Sequence, residues 1–219
     1  MAGPRPLRDA SWPRGRPDLT EAERDKVNKA NILTDFAIQA LRAAAERNVL
    51  ALLEFPEDLG KTAKGTPASI WRVPEMRELS SLGLVRGAIF QNRWAPVPYA
   101  KPTGLITDAD VLVSTPGFHV GWPAFDSQGF YKGPLPMPDS SCEPLIGKDS
   151  SGRFKTQPTA ADHPSMSLKL AAGLLESWLH RHWAPQKRGT SSTGEEAAQE
   201  IRSVTGTPDT EVSASSSVP

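Results

Sequence analysis

Val49-Leu50-Ala51-Leu52-Leu53-Glu54-Phe55-Pro56 is the stretch on which the reading of the fold turns. Apolar residues run unbroken from Val49 to Leu53 and stop at a carboxylate, a ring and a proline. That suits a strand buried on both faces better than an alternating edge strand. Upstream, Thr20 followed three residues later by Glu23 makes a capping box, which satisfies orphan amides at a helix start. Leu33, Phe36, Ala37, Ala40, Leu41 and Ala44 then recur at three- and four-residue spacing. They predict one apolar stripe on a helix running to about Arg47. A long helix feeding a buried strand is an α/β pattern.

Downstream, Pro67 to Leu79 carries Ile70, Trp71, Met76 and Leu79 around an internal Pro74, which predicts two short helical pieces with a break. Val85 to Phe90 reads as a second strand. Gly104 to Thr107 and Val111 to Val113 read as further strands, set apart by the turn formers Pro96, Pro98 and Asp108. Residues 114–163 are rich in glycine and proline and hold Phe118, Trp122, Phe125, Phe130 and Tyr131, an irregular excursion pinned by buried rings. Pro164 opens a last helix through Trp183, with Leu168, Ala171, Ala172, Leu175 and Leu179 on the face expected to cover the sheet.

Composition sets the limits of this domain. The 219 residues include 25 basic and 25 acidic side chains, so net charge alone selects no partner. Hydrophobic residues are 38% and prolines number 21, a balance that implies unpacked segments. Residues 1–19 alternate proline with arginine and are expected as a disordered leader; residues 184–219, rich in serine and threonine without an aromatic ring, as a disordered tail. Residues 20–183 are then one α/β domain. The single cysteine, Cys142, excludes an internal disulfide and any multi-cysteine zinc site, and points to an intracellular compartment. No apolar run reaches membrane-spanning length, so no membrane partner is expected.

Few residues carry a chemical pattern. Gly60-Lys61-Thr62 follows a strand as a phosphate loop would, but Phe55 stands where that loop needs glycine, and a basic turn is the better reading. His180 and His182 are two apart on a helix and point to different faces, so they make no metal pair. Cys142, in Ser140-Ser141-Cys142-Glu143-Pro144, has no adjacent activating group. Glu54 stands out because a carboxylate at the C-terminal end of a strand lies where open α/β sheets place ligands. The bland alternative is that it caps the next turn or pairs with Lys61 or Lys101.

The order of these segments resembles a known family. Asn31 to Gln39, Val49 through Glu54-Phe55-Pro56-Glu57-Asp58, Ser69-Ile70-Trp71, Pro74-Glu75, Leu79, Gln91, and Lys101-Pro102-Thr103-Gly104-Leu105-Ile106-Thr107 succeed one another as in a divergent methyltransferase-like family of mobile elements and viruses. That family is similar to the C-terminal half of DNA cytosine-5 methyltransferases, and His163-Pro164 resembles its last helix start. The resemblance implies a partial Rossmann-like, methyltransferase-type sheet with flanking helices. It also implies a base-recognition role for Glu54, the family's motif glutamate. Gln91, Lys101 and Thr103 fall in its later stretches, and with Lys61 and Arg93 they make up the candidate nucleic-acid-binding set.

Departures from the family pattern decide what activity to expect. Phe55 replaces an asparagine, and Asn92 and Ala95 replace a cysteine and a glycine. No glycine-rich turn for S-adenosylmethionine and no Pro-Cys pair precede Glu54. The resemblance therefore implies a truncated or degenerate domain without independent catalysis, using S-adenosylmethionine only if an N-terminal half supplies the site. Half of a doubly wound sheet leaves an apolar face and an edge open, so a complementary half or another protein is one expected partner and DNA the other. The alternative is a non-enzymatic nucleic-acid or protein-binding module in which the basic leader joins Lys61, Lys64, Arg93 and Lys101.

Overall fold

The apolar run becomes a strand only over its second half. In the computed structural model, which describes residues 6–62, 65–143, 145, 150–153, 155–156 and 163–183, β1 is Leu52–Pro56 and lies at a sheet edge. It is half-buried up to Glu54 and exposed at Phe55 and Pro56, not buried on both faces as expected. The unbroken run has another cause. Successive strand residues point to opposite faces, and Leu53 packs into one core while Leu52 packs into the other. The expected tail and Lys64 fall outside the described residues.

Four strands form the main sheet in the order β1-β3-β2-β4, with β2 at Val85–Phe90, β3 at Pro102–Thr107 and β4 at His119–Val120. Every neighbouring pair is antiparallel. No adjacent parallel pair of the doubly wound kind is therefore present among the described residues. Leu52 and Val85 both face Thr107, however, so β1 and β2 run in the same direction on either side of the reversed β3. A small second sheet pairs β5 (Ala124–Phe125) with β6 (Tyr131–Gly133).

Both faces of the main sheet are covered, which makes the unit a mixed α/β structure of three layers. On one face, α1 (Glu21–Glu46) brings Ile38 and Leu41 against Trp71, Leu79, Leu84 and Ile106. Its capping box forms as the sequence predicts, with the Glu23 amide donating to Thr20 Oγ1 at 3.3 Å and the Thr20 amide to Glu23 Oε2 at 2.9 Å. The stripe differs from expectation. Val27, Thr34, Ile38 and Leu41 are buried, whereas Leu33 and Phe36 are 69% and 70% exposed. Thr34 escapes an apolar count, yet its hydroxyl donates to the Ala30 carbonyl at 3.0 Å and so travels into the contact already satisfied.

Between α1 and β2, helical turns at Ile70–Arg72, α2 (Pro74–Glu78) and Leu79–Leu82 break at Pro74 as expected. Residues 6–19, expected as a disordered leader, lie along this layer. Arg8 donates to Asn31 Oδ1 at 2.7 Å, and Arg14 bridges Asp35 of α1 and Glu75 of α2 at 2.7 and 2.9 Å.

On the other face, α4 (Pro164–Trp183) and α3 (Asp110–Ser114) pack against Ile89 and Leu105. Val111 to Val113, expected as strand, therefore lies in a short helix. The β-branched residues favour extension, but Leu112 anchors the helix against Gly173 of α4. A side chain at position 173 would put its Cβ 2.3 Å from Leu112 Cδ2. Close approach through Met166, Gly173 and Ser177 turns the expected stripe outward, and Leu168 is 70% exposed. Arg181 closes this layer by binding Asp108 at 3.2 Å, while Asp108 accepts the Ala51 amide at 2.8 Å.

Candidate functional site

Just past β1 the chain turns at Glu57-Asp58, and both carboxylates are buried. A buried charge needs a partner, and each has an arginine. Arg72 Nε meets Asp58 Oδ2 at 2.5 Å, and Arg86 of β2 pairs with Glu57 inside the protein, both side chains fully excluded from solvent. Arg86 also donates to the Gly121 carbonyl at 2.7 Å and lies over the Trp71 ring, 4.7 Å from its centre. Gly104 makes room for this stack, since a Cβ there would stand 2.7 Å from Arg86 Nη2 and 2.8 Å from the Trp71 ring.

Tyr131 completes the cluster. Its hydroxyl donates to Glu57 Oε1 at 3.0 Å and accepts the Leu135 amide at 3.0 Å. Burial pushes the Glu57 carboxyl above the usual carboxylate range, with Arg86 and Tyr131 opposing the shift. Burial also lowers the Arg86 guanidinium against the pull of Glu57, and raises the Tyr131 phenol, reinforced by Glu57. These shifts follow from removing charge from water. The cluster is a structural clamp between two strand ends and the excursion.

What the clamp positions is an arch. Residues 131–143 leave the framework at a bridge between Gly60 and Phe130 and return to it at a bridge between Tyr99 and Glu143. The Lys61 amide bonds the Gly129 carbonyl at one foot, and the Glu143 amide bonds the Pro98 carbonyl at the other, both at 2.9 Å. Leu135 tucks in against Ala88 and Phe90, while Met137 stands outward. Between the arch and the sheet lies a cavity of about 580 Å³ walled by Phe90, Pro102, Tyr131 and Leu135. A second cavity of about 400 Å³ shares Phe90, Ala100 and Met137 with it. Both sit past the carboxyl ends of β1 and β2 and the amino end of β3.

The sequence-predicted residues distribute unevenly around this site. Gln91, Lys101 and Thr103 come together at the strand ends. Gln91 Nε2 donates to Thr103 Oγ1 at 3.2 Å, and the Gln91 amide to the Lys101 carbonyl at 3.0 Å. Gln91 and Thr103 are fully buried and line neither cavity, so they present no surface to a solvent-borne polymer. Arg93 is exposed and lines the smaller cavity. Lys61 lies over the exposed Phe130 ring at 5.4 Å. Glu54 stays within β1, opposite Leu105, and lines neither cavity.

Tyr131 is among the rings expected to pin the 114–163 excursion, whereas the Glu57–Arg86 pair is not anticipated, although one signal marks it. An arginine inside the apolar strand Val85-Arg86-Gly87-Ala88-Ile89-Phe90 demands a buried acceptor. The described turns do not fit S-adenosylmethionine. The one after β1 is filled by Glu57 and Asp58 in ion pairs, and no described strand-to-helix turn is glycine-rich. Among the described residues no group of three or more histidine, cysteine or acidic side chains could hold a metal ion, and no helix is long and apolar enough to cross a membrane.

Comparison with protein-family models, with curated proteins and with solved structures finds no match for this chain.

Proposed function

We propose that this chain is a degenerate part of a divergent methyltransferase-like α/β domain, of the kind carried by mobile elements and viruses, without methyl transfer of its own. The observation that carries the reading is the placement of β1 and β2. They run in the same direction, joined by a crossover through the 70–82 helical turns, with helices on both sheet faces and the reversed β3 between them. Every ladder of the sheet is antiparallel, so support for a partial Rossmann-like reading comes from the shared direction of β1 and β2 and the helical crossover between them, not from the pairing itself. The Trp71 indole donates to the Pro56 carbonyl at 2.9 Å, joining the strand end to the Ser69-Ile70-Trp71 turn, the two motifs on which the resemblance leans.

Loss of chemistry follows from the residues at that strand end. Phe55 stands in place of the family asparagine, and in the turn after it the Glu57 amide donates to the Pro102 carbonyl at 3.2 Å and the Gly60 amide to Asp58 Oδ1 at 2.9 Å, where a cofactor-binding turn would need free amides. Isothermal calorimetry with S-adenosylmethionine is expected to show no saturable heat. One-to-one binding by the chain alone would sink the proposal.

A second reading, a non-enzymatic nucleic-acid-binding module, is favoured by Lys61 on the exposed Phe130 ring, with Lys132 lining the larger cavity and Arg93 the smaller. A cation beside an exposed ring is a platform for an unpaired base. Fluorescence anisotropy with single-stranded DNA is then expected to weaken steeply between low and moderate salt. Absent or salt-independent binding removes this reading.

A further inference from the structure

We propose that the larger cavity beneath the 131–143 arch is a small-molecule site whose ligand is an uncharged, mostly apolar compound carrying one hydrogen-bonding group. The proposal stands apart from methyl transfer and from nucleic-acid binding. Its volume, about 580 Å³, lies within the roughly 300–1,000 Å³ typical of ligand pockets. Phe90 and Leu135 form apolar walls that are already buried, so a ligand meets a preformed surface.

Charge selects against an ionic occupant. Among the described residues, the charged side chains around the two cavities are Lys132 and Arg93 on one side of the balance and Asp139 and Glu143 on the other. All four are exposed. They sit at the rim, balance in sign, and leave no buried counter-charge for a ligand that has lost its hydration. The charges deeper in are committed, since Glu57 and Arg86 hold each other and the Tyr131 hydroxyl is satisfied on both sides.

Among the described residues, Asn92 keeps a polar atom for the ligand. Asn92 Nδ2 donates to Cys142 Sγ at 3.2 Å, while Asn92 Oδ1 is buried without a hydrogen-bond partner. Turning the amide over would let it accept from the thiol and leave the nitrogen unused, so either orientation keeps one group open. Asn92 lines the smaller cavity and Cys142 the larger, which places this anchor where the two meet. An extended peptide is disfavoured because such partners need a free strand edge or a groove open at both ends, and backbone bridges close the arch at both feet.

The test uses the full chain and N-phenyl-1-naphthylamine, an uncharged aromatic probe with a single N–H whose fluorescence rises in apolar surroundings. Saturable one-to-one binding is expected. Ala100→Trp, which fills the shared wall of the two cavities, should weaken it at least about ten-fold. Leu175→Glu, on the exposed stripe of α4, should leave it unchanged. Absence of saturable binding, indifference to Ala100→Trp, or loss on Leu175→Glu would overturn the proposal. Should Ala100→Trp fail to fold, Cys142 decides, because it is the one cysteine and it lines the cavity. Saturating probe should slow its alkylation by N-ethylmaleimide about five-fold or more, in line with occupancy of the site. An unchanged alkylation rate would also overturn the proposal.

Discussion

Glu57→Ala will lower the free energy of unfolding by about 3–5 kcal/mol, because removing one partner of a buried pair leaves the other as an uncompensated charge. Arg86 would then face the interior with its guanidinium stacked on Trp71 and no carboxylate to meet. It cannot neutralise by releasing its proton at accessible pH. The same substitution frees the Tyr131 hydroxyl, which orients the Leu135 amide at the start of the arch. Replacing both charges by apolar residues of similar size removes the conflict. The double variant Glu57→Leu, Arg86→Met should regain most of the loss, since a buried ion pair is often no more stabilising than good apolar packing. Urea denaturation of Glu57→Leu, of Arg86→Met and of the double variant closes a double-mutant cycle. Additive losses in the double variant would show that the pair is not coupled as described.

Trp71→Ala should be comparably severe, again about 3–5 kcal/mol. The ring is fully buried in the core beneath α1. It meets Phe55 and Trp122 edge-on at centre distances of 6.4 and 6.3 Å, donates its indole N–H to the end of β1, and carries Arg86 on its face. Truncation opens a cavity that Gly104, with no side chain, cannot help to fill. Trp71→Phe keeps part of the ring packing and loses the indole hydrogen bond, so its effect should be clearly smaller. Equal loss in both variants would mean that the bond to Pro56, and not the volume, dominates.

These two variants fall on residues that differ in how far the sequence announces them. Trp71 was legible because Ser69, Trp71 and Pro74 mark the ends of short helical turns, and local capping chemistry needs no tertiary information. The same holds for the start of α1 at Thr20 and Glu23 and for β2, while β3 ends at Thr107 as expected but begins at Pro102, two residues before the expected Gly104. The clamp was not legible, since Glu57 finds Arg86 29 residues away and Tyr131 74 residues away. Residues next to a proline with two acidic side chains read equally well as a solvated turn.

The faces of the long helices were misjudged for a related reason. An apolar count favours Leu168 and Leu175, yet the helix sits closest where its side chains are smallest, at Gly173 and Ser177. Contact distance, not hydropathy, chose the buried face. Residues 6–19 likewise depend on arginine side chains reaching carboxylates on α1 and α2, contacts that composition cannot forecast. As for the candidate site, Gln91, Thr103 and Arg93 all fall near the cavities, Gln91 and Thr103 buried and Arg93 exposed. The cavity itself arises from an arch whose feet are pinned to residues far apart in the chain.

The reading we propose is of a methyltransferase-like domain that lacks methyl transfer of its own. It is tested most directly by incubating the full chain with S-adenosylmethionine carrying a labelled methyl group and cytosine-containing DNA. No incorporation above a protein-free control is the predicted result. Sustained incorporation that Glu54→Gln abolishes would contradict the claim and return Glu54 to a catalytic site.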